Sequence, residues 1–207
     1  MANNKFDIYI VGLGGQGVLT IGEIIADAAF NKGIPVNFFP TKGMSQRGGF
    51  VRAQLRMGRD EPGPSIPAKG ADLVISMERS ESLKAVRYLK PGADFLLYGL
   101  VWAPTAVMLG KAPYPTLAEV WTEIEKAHGK VAYLDPKTLP EYKEKKVRDN
   151  IYVLGAVMAE TGLKNIFTPE DIIAAVNERW PKGAEENLFA FQAGLKASVY
   201  RNMPQNT

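Results

Sequence analysis

One stretch of this 207-residue chain carries residue types and spacings that suit chemistry, VGLGGQGVLTIGEIIADAAFNKGIPVNFFPTKGMSQRGGF, residues 11–50. Gly12, Gly14 and Gly17 satisfy G-x-G-x-x-G, with Gly15 and Gln16 inside the turn, between a strand-like run and a helical one. In that context glycines permit a tight turn and let a phosphate or similar anion approach backbone amides at a helix N-terminus. The same glycines also serve with no ligand, by letting the first helix pack close to a sheet, and both readings stay open. An NAD site needs Asp or Glu about 20 residues further on to hold the ribose. This chain has Asn37, Phe38, Phe39 and Pro40 there, so independent nicotinamide dinucleotide binding is not expected. The second strand leads instead into a loop holding Lys42, Ser45, Gln46, Arg47, Gly48 and Gly49, together with Gly43. Its glycines make the backbone adaptable. Gln46 and Arg47 can offer hydrogen bonds and a bidentate cation to a carboxylate, phosphate or carbonyl. The loop is expected to face a partner or its active site; the plainer alternative closes it on its own domain through Arg47.

Other chemistries are excluded by what the chain lacks. It has no cysteine and one histidine, His128, which rules out disulfides, thiolate-held iron–sulfur clusters and Cys/His zinc sites. His128 lies in IEKAHGK at a helix end and reads as a cation near a C-terminus. There is no G-x-S-x-G elbow, no G-x-x-x-x-G-K-[ST] loop and no Gly-Asp-Gly segment for magnesium and thiamine diphosphate. No catalytic residue and no metal ligand is expected from this chain alone.

The elements that must position the glycine turn can be read from periodicity. FDIYIV (6–11) reads as a buried strand and residues 18–31 as an amphipathic helix, with Thr20, Glu23, Asp27 and Asn31 on its polar face and Lys32-Gly33 ending it. IPVNFF (34–39) is the next strand; this βαβ unit predicts two parallel strands joined by a right-handed crossover. FVRAQLRMG alternates, with Val51, Ala53, Leu55 and Met57 on one face and Arg52, Gln54 and Arg56 on the other. It predicts a half-exposed strand with a basic outer face, antiparallel to its neighbours or at an edge. ADLVISM and ADFLLYGL are further strands flanking a helix over ERSESLKAVRYL, KVAYL is the last short strand, and residues 101–115 read as irregular. Thr116 and Glu119 form a capping box for a helix over 117–127. After the charged connector DPKTLPEYKEKKVRDN come helices over 151–162, 169–180 and 184–201, the last with Leu188, Phe191, Leu195 and Val199 in one stripe. Asn150 reads as a helix N-cap. Trp102, Trp121 and Trp180 read as core or interface residues.

The expected fold class is α/β: a Rossmann-like, mainly parallel sheet with flanking helices and a helical C-terminal extension. One domain spans 1–207, with its sheet-forming part at 5–135 and its helical part at 147–201. The helical part either packs on the sheet or reaches a partner. The chain is 46% hydrophobic and 23% charged with net charge +3, which suits an anionic ligand or partner without demanding nucleic acid. The polar start MANNKFD and the lack of an apolar run of about 18 residues predict a cytoplasmic chain with no membrane partner.

Four segments together, VGLGGQGVLTIGEIIADAA, TKGMSQRGGFVRAQLRMG, ADLVISME and DNIYVLGAVMAETG, resemble the gamma-type domain of 2-oxoacid:ferredoxin oxidoreductases, and most of all the beta subunit of the indolepyruvate type. The resemblance implies a holoenzyme that oxidatively decarboxylates an arylpyruvate or other 2-oxo acid to an acyl-CoA and reduces ferredoxin. It further implies thiamine diphosphate, magnesium and iron–sulfur clusters in a catalytic alpha-type partner subunit, coenzyme A as acyl acceptor, and no cofactor held firmly here. Three alternatives stand beside it: a gamma subunit acting on pyruvate, 2-oxoglutarate or phenylglyoxylate; a stand-alone nucleotide-binding module; and a binding module unrelated to redox chemistry.

Overall fold

The computed structural model describes residues 5–43, 48–59, 63–182 and 184–204. In chain order the elements are β1 (Phe6–Leu13), α1 (Val18–Asn31), β2 (Val36–Lys42), β3 (Phe50–Met57), β4 (Ala71–Ser76), α2 (Arg79–Ala85), β5 (Leu89–Tyr98), the one-turn α3 (Thr105–Met108), α4 (Leu117–Lys126), β6 (Lys130–Leu134), a small hairpin β7 (Glu141–Tyr142) and β8 (Lys145–Lys146), α5 (Asp149–Glu160), α6 (Pro169–Arg179) and α7 (Ala184–Leu195). Among the described residues the central sheet has six strands in the order β2-β3-β1-β4-β5-β6. Strands β1, β4, β5 and β6 run parallel, and β3 is antiparallel to both β1 and β2.

Side-chain alternation divides the core between the sheet's faces. Ile8, Ile10, Leu55, Ile75 and Leu96 point to the side covered by α1, α5, α6 and α7. Tyr9, Val11, Val74, Phe95 and Leu97 point to the side covered by α2 and α4. The C-terminal helical part therefore packs on the sheet: Ile151 to Val157 of α5 are buried in the core. There α5 and α7 cross so closely that a Cβ built on Gly155 would sit 2.9 Å from Gly194 Cα.

Several expectations need correction. β1 and β2 do run in the same direction, but β3 lies between them, because the short loop after β2 returns as a hairpin and fills the gap. β3 is antiparallel to both neighbours as expected and is not an edge. Its polar face is covered in part: Arg52 and Arg56 keep intermediate exposure, whereas Gln54 is shut off from solvent. Gln54 is buried and its Oε1 accepts the Ile66 amide at 2.7 Å. Arg56 donates to the carbonyls of Gly63 and Ser65 and, with Arg59, pairs with the buried carboxylate of Asp7. The helix after β4 runs as α2 to Ala85 and continues as a 3₁₀ turn over Val86–Tyr88, and β5 begins at Leu89. Residues 101–115 contain α3, and the charged connector contains the β7–β8 hairpin, turned by Lys143 and Glu144 at φ 51° and 65°. The final helix ends at Leu195, short of 201, because Tyr200 exchanges two backbone hydrogen bonds with Tyr133 (3.0 and 2.9 Å) and covers the open edge of β6. No helix among the described residues is long and apolar enough to cross a membrane.

Candidate functional site

The glycine turn sits at the C-terminal end of β1, where open α/β sheets place their ligand crevices. Gln16 folds into it. Its Oε1 accepts the Leu13 amide at 2.7 Å and its Nε2 donates to the Met77 carbonyl at 3.4 Å, which ties the turn to the end of β4. A Cβ on Gly12 would lie 2.7 to 2.9 Å from Gln16, Val18 and Met77, so only glycine fits. Gly17, at φ 72°, is the N-cap of α1, and the Asn150 side chain fills the space its Cβ would need. Gly15, at φ 101°, faces open space.

The second cluster reaches the first through Gly14. Its amide donates to Gly49 O at 2.8 Å, and its carbonyl accepts the Gly48 amide at 3.2 Å. Gly43 N also donates to Phe50 O at 2.9 Å, closing the neck of the β2–β3 hairpin. Gly48 and Gly49 thus extend the β1–β3 pairing past Leu13 and Phe50. Ser45, Gln46 and Arg47 lie outside the described residues, and so does the alternative closure through Arg47.

Between turn and hairpin opens a cleft of about 530 Å³. Gly15, Gly17 and Thr20 form one wall, Lys42 and Gly43 the other. Helix α1 has no side-chain cap and no acidic residue in its first turn, so its positive dipole end meets no anionic side chain of its own there. Lys42 is exposed at the end of β2. The arrangement suits a bound anion such as a phosphate or carboxylate. Of the predicted residues, Gly14, Gly15, Gly17, Lys42 and Gly43 line this cleft. Gly12, Gln16, Gly48 and Gly49 shape its walls from behind or beside.

On the sheet's other face the hairpin borders a hollow of about 380 Å³ shared by Gly48, Phe50, Lys84, Trp102 and Met108. Beside it lies a buried carboxylate that sequence reasoning missed. Glu78 is fully buried and is the N-cap of α2. It accepts the Glu81 amide at 2.9 Å, the Ser80 hydroxyl at 2.7 Å, the Trp102 amide at 3.4 Å and the Tyr114 hydroxyl. Burial first, and then the bond to Glu78, push the Tyr114 hydroxyl up to about 12, so it remains a donor at neutral pH. The signal available in the sequence was Glu78 ahead of a helix start, but Tyr114 is 36 positions away.

Asn150 is not the N-cap of α5. That position is Arg148, and Asn150 lies in the first helical turn, buried against Gly17. Its neighbour Asp149 has its carboxyl raised by burial. His128 adopts φ 58° just past the end of α4 and is exposed. Trp121 is in the core, Trp180 is half-buried under Arg148 and Arg179, and Trp102 is exposed.

Comparison with known proteins agrees with this geometry. Residues 7–197 match the family described as pyruvate ferredoxin/flavodoxin oxidoreductase. The chain is 33% identical to the indolepyruvate oxidoreductase subunit IorB of Thermococcus kodakarensis, over 94% of this chain and 96% of that one. Its fold is that of the pyruvate oxidoreductase subunit PORC of Thermotoga maritima, with a TM-score of 0.69 and 21% identity, covering 95% of this chain and 97% of that one. It also matches the 2-oxoglutarate:ferredoxin oxidoreductase of Magnetococcus marinus (TM-score 0.64, 20% identity), covering 93% of this chain and 30% of that longer one. The matched residues include both the glycine turn and the hairpin that closes on it, and the chain belongs to the pyruvate ferredoxin/flavodoxin oxidoreductase family.

Proposed function

We propose that this chain is the small subunit of a 2-oxoacid:ferredoxin oxidoreductase of the indolepyruvate type, in which an arylpyruvate is oxidatively decarboxylated to an acyl-CoA. The observation that carries the reading is the 33% identity to IorB over nearly the full length of both chains. The chain's own residues do not fit the redox groups of such an enzyme. It has no cysteine for a cluster, and the described residues hold no group of three or more His, Cys, Asp or Glu that could bind a metal. In this reading thiamine diphosphate, magnesium and the iron–sulfur clusters belong to a larger catalytic subunit.

What this chain contributes is binding. The cleft between Gly15–Thr20 and Lys42 fits an anionic group, with the N-terminal amides of α1 and the Lys42 ammonium as its donors. Coenzyme A, through a phosphate, is the occupant we assign to it. The nicotinamide reading is disfavoured because Phe38 and Phe39 stand where the ribose would need a carboxylate.

The test is reconstitution without oxygen of the chain with its large subunit, followed by dye reduction with indolepyruvate, phenylpyruvate, pyruvate and 2-oxoglutarate plus coenzyme A. Turnover with the aryl acids above the others supports the reading; turnover with pyruvate or 2-oxoglutarate alone reassigns the substrate. A chain that forms no redox-active complex overturns the reading. In the active complex, Lys42→Glu is expected to raise the KM for coenzyme A about tenfold, the loss of one charge-assisted contact, and an unchanged KM removes coenzyme A from the cleft.

A further inference from the structure

A group of exposed apolar side chains lies outside the cleft, on and beside the segment that follows β5. Trp102, Met108 and Leu109 are 57%, 69% and 62% exposed, and Val101 and Leu83 add to them. Scattered exposed apolar residues are ordinary, whereas five around one strap are a surface awaiting cover.

The strap is held, not loose. Glu78, fully buried, takes the Trp102 amide and the Tyr114 hydroxyl, so both ends of residues 102–114 are tied to the start of α2. Arg79 N donates to Leu100 O at 2.9 Å and fixes the entry. Within the strap, Val107 N and Met108 N both donate to Pro104 O and form α3. Apolar side chains presented on a fixed backbone lose little entropy on association, which is the property of an interface anchor.

We propose that this strap, with Trp102, Met108 and Leu109 as its anchors, is where the large catalytic subunit docks, an inference that rests on the small-subunit reading above. The strap is continuous with the candidate site. Trp102 Nε1 lies 3.7 Å from the position of a Gly48 Cβ, and Gly48 is bonded to Gly14 of the glycine turn. A partner seated on Trp102 therefore touches the hairpin that walls the cleft. At its rim stand exposed Lys111 and exposed Lys84, the latter already paired with Glu81 at 2.8 Å, so the partner surface it fits is an apolar hollow with a carboxylate opposite Lys111. In the Magnetococcus marinus enzyme the same fold occupies 30% of a longer chain and so adjoins further polypeptide.

Hydrogen exchange of the unaltered chain, free and assembled with the purified large subunit, tests this directly. Amides of residues 101–111 are expected to slow about tenfold or more on assembly. Leu109→Asp and Trp102→Ala, whose side chains are exposed in the free chain, should each weaken large-subunit binding by about tenfold or more without lowering the melting temperature of the isolated chain. A complex that forms while 101–111 exchanges as in the free chain overturns the docking inference and leaves the functional reading intact. Failure of the unaltered chain to bind the large subunit overturns both. Slowing of 101–111 that appears instead as the free chain is concentrated assigns the strap to a second copy of this chain and overturns the proposal.

Discussion

The Gly14 amide donates to the Gly49 carbonyl at 2.8 Å, so the turn after β1 and the hairpin after β2 are two sides of one structure. With Gly48 bonded back to Gly14, both polar groups of that residue are engaged inside the protein. They are not available to cradle a phosphate in the way a dinucleotide fold uses its central glycine. The donors that still face the cleft are at the α1 N-terminus and at Lys42 across from it.

The tightest requirement for glycine in the turn is at Gly17. Its φ of 72° disfavours any side chain, and the Asn150 amide stands where a Cβ would go. Gly17→Ala should lower stability by about 2–4 kcal/mol, the sum of left-handed strain and overpacking. Adding Asn150→Gly should return the packing part and leave the strain. Urea midpoints of the single and double variants measure this, and a second substitution that returns nothing removes Asn150 from the account.

Burying a hydroxyl against a carboxylate predicts the next outcome. Tyr114→Phe leaves Glu78 with the Glu81 amide, the Ser80 hydroxyl and the Trp102 amide but without its phenolic donor. The expected loss is about 1–3 kcal/mol, with faster amide exchange in 101–114 because the far end of the strap is released. A variant as stable as the parent would show that Glu78 does not depend on Tyr114.

How far these features are readable depends on the sequence separation of the partners. Strand β1, helix α1 and the capping boxes at Thr116/Glu119 and Thr168/Asp171 are local, and their signals stand within a few residues of each other. The insertion of β3 between β1 and β2 is not local. The alternation of FVRAQLRM gives its antiparallel sense but says nothing of which neighbour lies on each side. Gln54 and Arg56 read as solvent-facing because the chain that covers them, Gly63 to Ile66, arrives from a Pro/Gly loop without periodicity. At the site, the pattern locates the glycines and the hairpin. It cannot show Gln16 turning inward to Met77, 61 positions away, nor Asn150 meeting Gly17. The end of α7 escapes for the same reason: Tyr133 captures Tyr200 through the backbone, which side-chain patterns do not record.

The Lys32–Asp171 pair, 2.8 Å apart, joins the end of α1 to the first turn of α6. The Lys32 ammonium, and after it the Thr168 amide, hold the Asp171 carboxyl below its ordinary value. A carboxyl depressed in the folded state adds stability above its unfolded pKa, about 3.9, and that stability is lost as pH falls through the folded value. The parent should therefore lose its margin over Asp171→Asn as pH drops below about 4. Because the pair is partly exposed, Lys32→Ala should cost no more than about 0.5 kcal/mol at neutral pH. Melting temperatures across the acid range decide it: a parent–variant gap that is the same in acid as at neutrality would sink the assignment.

The crossing of α5 and α7 makes the strongest demand on residue size. Gly194 sits against the backbone carbonyl of Tyr152, and Gly155 sits against that of Phe191. Neither obstacle is the end of a flexible side chain, so a methyl group at either position can be accommodated only by moving a helix. Helix propensity acts the other way, since Ala is favoured over Gly by about 1 kcal/mol in a helix interior. If packing governs, Gly194→Ala should destabilise by about 1–3 kcal/mol net, and Gly155→Ala should do the same. Because both changes relieve the same contact by separating the helices, the double variant should lose less than the sum of the two. Denaturant unfolding of the three variants settles the balance. A Gly194→Ala protein more stable than the parent would mean that the helices part at little cost and that α7 is held mainly by Phe191 in the core and Asn187 beside it.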